Sequence, residues 1–180
     1  MDNVQDNIID ERKKQKSKTL ISLKNLIIKV IVLALIIYVI FGVLFGFKRM
    51  ETSYMSPKIM EGDLLLYYRF DKNYELADVV LLQNNGKDYV LRIAAKEGQT
   101  VDIDENGVLL IDGYPEENEA FYKTEIEEEA NITFPYKVES GKYFVISDYR
   151  NSKHDSRTFG TVSKDDIRGK IIARLQIRNI

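Results

Sequence analysis

The sequence predicts a mainly antiparallel β domain preceded by one N-terminal transmembrane helix. Three observations predict it: a run of 18 residues without a charge from Val30 to Phe47, six later apolar stretches of strand length, and turn-forming residues between those stretches.

At helical rise the uncharged run, VIVLALIIYVIFGVLFGF, spans about 27 Å, close to the hydrocarbon thickness of a bilayer. A buried core helix or a cleaved signal peptide would be the alternatives. The run is too long for the apolar core of a signal peptide, and its exit, Phe47-Lys48-Arg49, has no small-residue cleavage site. Lys13, Lys14, Lys16, Lys18, Lys24 and Lys29 precede the helix, whereas only Lys48 and Arg49 follow it closely, so the positive-inside rule puts the N-terminus in the cytoplasm. The expected organisation is a basic cytoplasmic segment at 1–25, a single-pass anchor in the cell membrane at 26–49, and an extracytoplasmic β domain at 50–180.

The strand-length runs are Leu64 to Tyr68, Val79 to Leu82, Tyr89 to Ala94, Val108 to Ile111, Tyr143 to Ile146 and Lys170 to Ile177. Between them lie Glu61-Gly62-Asp63, Asn84-Asn85-Gly86, Asp104 to Gly107, Asp112-Gly113 and Glu139-Ser140-Gly141, all turn chemistry. The stretch from Asp104 to Gly113 reads as one strand between two tight turns, with Val108 and Leu110 facing a core. Glu116 to Ala130, with seven glutamates, reads as a solvated loop or short helix; a docking patch for a basic partner or a cation is the functional alternative.

Charge is uneven along the chain. The part before Val30 carries 7 Lys+Arg against 4 Asp+Glu, and Met50 to Ile180 carries 17 against 24. An acidic outer part has no general attraction for phosphate backbones, and neither a zinc-finger nor a Gly-rich phosphate motif occurs, so nucleic acid is not an expected partner. The absence of cysteine excludes disulfides, thiolate catalysis and Cys-ligated metals. No cofactor or metal is expected.

Four segments, in order, carry a resemblance. Thr52-Ser53-Tyr54-Met55-Ser56-Pro57, followed by Gly62-Asp63, resembles the nucleophile box of the signal peptidase I family. Ala77-Asp78-Val79-Val80 resembles its Gly-Asp-apolar-apolar strand, and Leu91-Arg92-Ile93-Ala94 resembles the box holding its lysine. Ser147-Asp148-Tyr149-Arg150-Asn151-Ser152-Lys153-His154-Asp155-Ser156-Arg157, with Gly160 after it, resembles its C-terminal box. The resemblance covers the chain from the anchor onward and implies a signal-peptidase-I-like β domain of the Gram-positive type.

Position by position, the resemblance puts Tyr54 where the family has its nucleophilic serine and Leu91 where it has its general-base lysine. Lys153 takes the place of the serine that supports that lysine. Asp155, Ser156 and Arg157 match the structural box, and Thr52 aligns with the oxyanion-hole serine. The implied peptide-binding cleft comprises Thr52, Ser53, Tyr54, Met55, Pro57, Leu91 and Lys153, made narrower and more apolar by Tyr54 and Leu91. A leucine accepts no proton, and a tyrosine oxygen sits on a rigid ring several bonds farther from the backbone, so no catalytic residue of the dyad is intact.

Three readings follow. The first is a membrane-bound, non-catalytic chaperone or assembly factor for secreted proteins bound as extended peptides. Signal-peptidase-like proteins with a degenerate dyad are known in Gram-positive pilus loci, where they assist sortase-assembled pili, so the resemblance implies pilin proteins and a sortase-associated assembly as partners. The second is an active signal peptidase in which Ser53 or Ser56 works with Lys153. Against it, a one-residue shift along an extended chain turns Ser53 to the opposite face. The third is a structural module whose cleft Tyr54 fills. Lys153 is otherwise a surface charge or a partner of Asp155. His154 has no second candidate ligand beside it and reads as an exposed loop residue.

Overall fold

The computed structural model describes residues 2–116, 123–124 and 132–177. It divides into two units, 1–43 and 44–180. In the first, an α-helix, α1 (Asp2–Tyr38), continues as a π-helix (Val39–Leu44). Its portion Lys18–Leu44 is long and apolar enough to cross a membrane, and none of its most apolar stretch is buried within the protein.

The uncharged run does not stay helical to its end. Phe45–Arg49 is a strand, β1, paired antiparallel with β2 (Leu64–Tyr68) from Phe45↔Tyr68 to Arg49↔Leu64. Uncharged apolar residues serve a lipid-facing helix and a sheet equally well, so hydropathy alone does not mark the change.

The second unit is built from antiparallel strands. After β1 and β2 come β3 (Val79–Asn84), β4 (Lys87–Lys96), β5 (Thr100–Ile103), β6 (Leu109–Ile111), β7 (Tyr114–Pro115), β8 (Tyr136–Lys137), β9 (Lys142–Ile146), β10 (Val162–Ser163) and β11 (Ile167–Leu175). A short helix, α2 (Ser156–Phe159), precedes β10. The large sheet runs β1-β2-β11-β3-β4-β9-β10 and the small one β7-β6-β5-β8. Asn85 and Gly86, both at positive φ, close the β3–β4 hairpin in the two-residue turn that such strands favour.

Alternation along β4 sorts the core. Leu91 and Ile93 join Val80, Leu82 and Val145 in one buried cluster, while Val90 joins Leu81, Leu65 and Met55 in another on the opposite face. A third cluster, centred on Phe144, Ile146, Val101 and Leu109, lies between the two sheets. There the expected facing is off by one: Leu109 is buried and Val108 exposed. Register decides it, because Val101↔Ile111 and Ile103↔Leu109 put those four side chains on the core face and leave Leu110 opposite Asp102. Glu116 also departs from the solvated reading, since its side chain is buried against Arg150. Most of the remaining acidic stretch lies outside the described residues.

Candidate functional site

The segment after β1 is a series of turns rather than an extended chain. Ser56 N–H donates to Ser53 O at 3.0 Å and Ile59 N–H to Met55 O at 2.8 Å. Asp63 closes the series, its carboxylate accepting from Met60 N–H at 3.0 Å. The strand-parity argument applied to Ser53 therefore does not hold; Ser53 is nonetheless exposed, and Ser56 is half-buried. Met55 is fully buried and anchors the turns in the core, which makes it part of the scaffold and not of a cleft wall.

Tyr54, next to it, is half-buried. Its carbonyl accepts from Tyr149 N–H at 2.9 Å, tying the turn series to the C-terminal box. Its ring stacks on His154, centroids 5.1 Å apart and planes 13° from parallel. Burial, together with the neighbouring Tyr89 phenol, raises the Tyr54 phenol above its ordinary 10.0, so it is neutral at physiological pH. Leu91 is wholly buried, on the face of β4 that also carries Tyr89 and Ile93.

The C-terminal box is held by buried ion pairs. Arg92, directly after Leu91, makes a two-pronged contact with Asp148, Nε–Oδ1 2.7 Å and Nη2–Oδ2 2.6 Å, and donates to Ala77 O at 2.7 Å. Asp155 accepts from Arg157 through both oxygens, at 2.9 and 2.8 Å, and from Ser147 Oγ at 2.7 Å. It also caps α2, accepting from Arg157 N–H. Ser156 Oγ accepts from Val145 N–H at 2.9 Å, fastening α2 to β9. Each of these charges is compensated by short, well-aligned donors, the condition under which burial of a charge is tolerable. The Asp155 carboxylate is thus paired with Arg157, and Lys153 is exposed.

A cavity of about 420 Å³ opens beside Tyr54. Thr52, Tyr54, Tyr89 and His154 form part of its lining, and Asp88 crosses it, taking Lys48 Nζ and Arg168 Nη1 at 3.3 Å each. This cavity is charged, not the apolar groove expected from Tyr54 and Leu91. Of the expected cleft residues, Thr52 and Tyr54 line it, and Ser53, Met55, Pro57, Leu91 and Lys153 do not. Among the lining residues that were missed, Lys48, Gln83, Asp88 and Arg168 come from four separate strands. Only the proximity of Asp88-Tyr89 to Leu91 could have signalled any of them.

Among the described residues, no strand pairs with the far side of β4 before Arg92, beside this cavity. β4 pairs with β3 along Lys87–Arg92, but β9 joins its other side only from Arg92 onward. The Ile93 backbone bonds toward β3, so alternation turns the N–H and C=O of Asp88 and Val90 to the vacant side. An extended peptide can pair there.

The family described as signal peptidase, peptidase S26, matches residues 23–176. Signal peptidase I U of Bacillus subtilis (strain 168) is 29% identical over 168 residues, covering 88% of this chain and 87% of that protein. An inactive signal peptidase IA of Staphylococcus aureus (strain Mu50 / ATCC 700699) is 27% identical over 127 residues, 67% of this chain and 72% of that protein. Among solved structures, a signal peptidase I from Enterococcus faecalis V583 aligns with 23% identity and a TM-score of 0.45, over 56% of this chain and 97% of that one. The chain belongs to the signal peptidase, peptidase S26, family.

Proposed function

We propose that this protein is a catalytically silent, membrane-anchored member of its family that binds secreted proteins as extended peptides and chaperones them. The supporting observation is the chemistry at the dyad positions: Leu91, buried among Val80, Leu82 and Ile93, brings no amine, and Tyr54 offers a neutral phenol stacked on His154. Loss of a hydrolase nucleophile or its base lowers turnover by about 10⁴ to 10⁶, and loss of both is little worse than loss of one. Backbone pairing at the vacant edge of β4 needs neither.

The inactive S. aureus relative sets a precedent for loss of activity within the family. Pilin subunits of sortase-assembled pili are the partner class that the family resemblance suggests, with the N-terminus cytoplasmic and the β domain outside. The test is cleavage of a pre-protein by the detergent-solubilised full-length chain, beside the double substitution Tyr54→Ser, Leu91→Lys, with pilin binding read by co-purification. The expected result is no cleavage by the native protein and retention of the pilin. Cleavage that Ser53→Ala or Ser56→Ala abolishes overturns the proposal.

A further inference from the structure

Resting on the peptide-binding reading above, we infer that the peptide taken up beside β4 is selected for an acidic side chain, an aspartate or glutamate whose carboxylate sits on Arg168 and Lys48. Register and alternation place these groups on one side of the sheet. Lys48 lies opposite Leu65, and Asp88 lies two residues before Val90 in β4. Leu65 and Val90 belong to the same buried cluster, so Lys48 and Asp88 project to that face. Arg168 reaches the same place from β11, its Nη1 3.3 Å from Asp88 Oδ1. A peptide strand beside Asp88 and Val90 sends every second side chain to this face.

The donors gathered there exceed the acceptors. Asp88 receives Lys48 Nζ on Oδ2 and Arg168 Nη1 on Oδ1, so both of its oxygens are engaged. Glu51 lies 3.8 Å from Lys48 Nζ, but its side chain is 73% exposed and its attraction is screened by water. An ammonium and a guanidinium together carry more N–H donors than one carboxylate accepts. Among the described residues, Arg168 meets no acidic partner besides Asp88. Lys87, at the β3–β4 turn, adds a further cation to the lining. The Lys48 and Arg168 side chains are 25% and 44% exposed, open enough to be reached and covered enough for a charge to count. An incoming carboxylate completes an alternating group of two cations and two anions, and the guanidinium fork can hold it by both oxygens. A basic side chain would find only Asp88, already shared between two cations. An apolar one would strip water from donors that gain nothing in return.

The test is selection from a phage-displayed library of random peptides, each about nine residues long, on the detergent-solubilised full-length protein. Enriched sequences are expected to share an Asp or Glu at one position. Replacing that residue by its amide in a synthetic copy should weaken binding by about fivefold or more, as for a partly covered charge pair. With Arg168→Gln the acidic and amide peptides should bind within about twofold of each other, whereas Arg168→Lys should keep part of the difference. Asp88→Asn, which releases both cations, should widen it, and added salt should narrow it. Circular dichroism of each variant confirms that folded proteins are compared. Enrichment without a shared acid, enrichment of Lys or Arg in its place, or an acid preference that Arg168→Gln leaves intact overturns the inference and leaves the peptide-binding reading standing. A library from which nothing is enriched overturns that reading, and the inference with it.

Discussion

The ring of Tyr54 lies on the ring of His154, centroids 5.1 Å apart and nearly parallel. Both residues line the charged cavity, so the stack joins two parts of its wall. Stacked aromatic pairs contribute about 0.5–1.5 kcal/mol beyond area burial. A double-mutant cycle with Tyr54→Ala and His154→Ala, followed by urea denaturation, should return a coupling energy at the low end of that range, because His154 is exposed. Strict additivity would mean that the stack does not hold Tyr54.

The Asp155–Arg157 pair predicts a larger effect. Arg157→Met leaves a fully buried carboxylate without its cation, which costs about 3–5 kcal/mol. Denaturant titration of the full-length protein checks this, and a loss below about 1 kcal/mol would show that water reaches Asp155.

Tyr74 predicts a gain. Its hydroxyl is buried with no hydrogen-bond partner among the described residues, and burial, with Asp71 and Tyr143 nearby, pushes its pKa up to about 12. Tyr74→Phe should stabilise by about 1 kcal/mol or more, by removing an unmet desolvation penalty. The folded pKa exceeds the unfolded 10.0, so Tyr74 contributes stability that is whole below pH 10 and is lost as pH rises from 10 toward about 12. Melting temperatures across that window should fall less steeply in Tyr74→Phe than in the native protein.

Acid acts in the opposite direction. Hydrogen bonds from Tyr136 and Thr161 lower the Glu139 carboxyl below its ordinary 4.5. A depressed folded pKa contributes stability that is present above pH 4.5 and lost as pH falls through the folded value. Glu139→Gln should flatten the melting-temperature profile below pH 4.5, and an unchanged slope would remove Glu139 from the account.

Ala77 stands where the family motif has glycine, and its φ is +68°. A side chain in that left-handed region costs roughly 1–2 kcal/mol, partly offset by the unfolded-chain entropy that glycine adds. Ala77→Gly should stabilise slightly, by about 0.5–1 kcal/mol. Gly46 behaves in reverse. A Cβ there would lie 2.3 Å from the Tyr67 ring, so Gly46→Ala should destabilise by about 1–3 kcal/mol.

The six apolar runs were legible as strands because each is of strand length and turn-forming residues lie between them, as Glu61-Gly62-Asp63 does before Leu64 to Tyr68. β1 was hidden inside an apolar run that also serves a membrane helix. β5 was hidden because it is only four residues long and Asp102 interrupts its apolar residues. Val108 and Leu109 show how adjacent apolar residues leave facing undetermined until a partner strand sets the register. The site divides the same way. Asp155 and Arg157 could be found because they lie in one contiguous segment that resembles the family's C-terminal box, whereas Lys48, Asp88 and Arg168 meet only through sheet topology.

The complete burial of Leu91 bears on how such a chain changes through evolution. An amine at that position would have to be stripped of water, a demand the leucine does not make, so leucine there leaves the fold farther above its stability threshold than lysine would. The Arg92–Asp148 and Asp155–Arg157 pairs involve neither Tyr54 nor Leu91, so what they contribute is the same whichever residue stands at those positions. A lineage released from selection for cleavage would therefore drift toward an inert, sturdier domain, and placing a lysine at Leu91 would cost part of that stability.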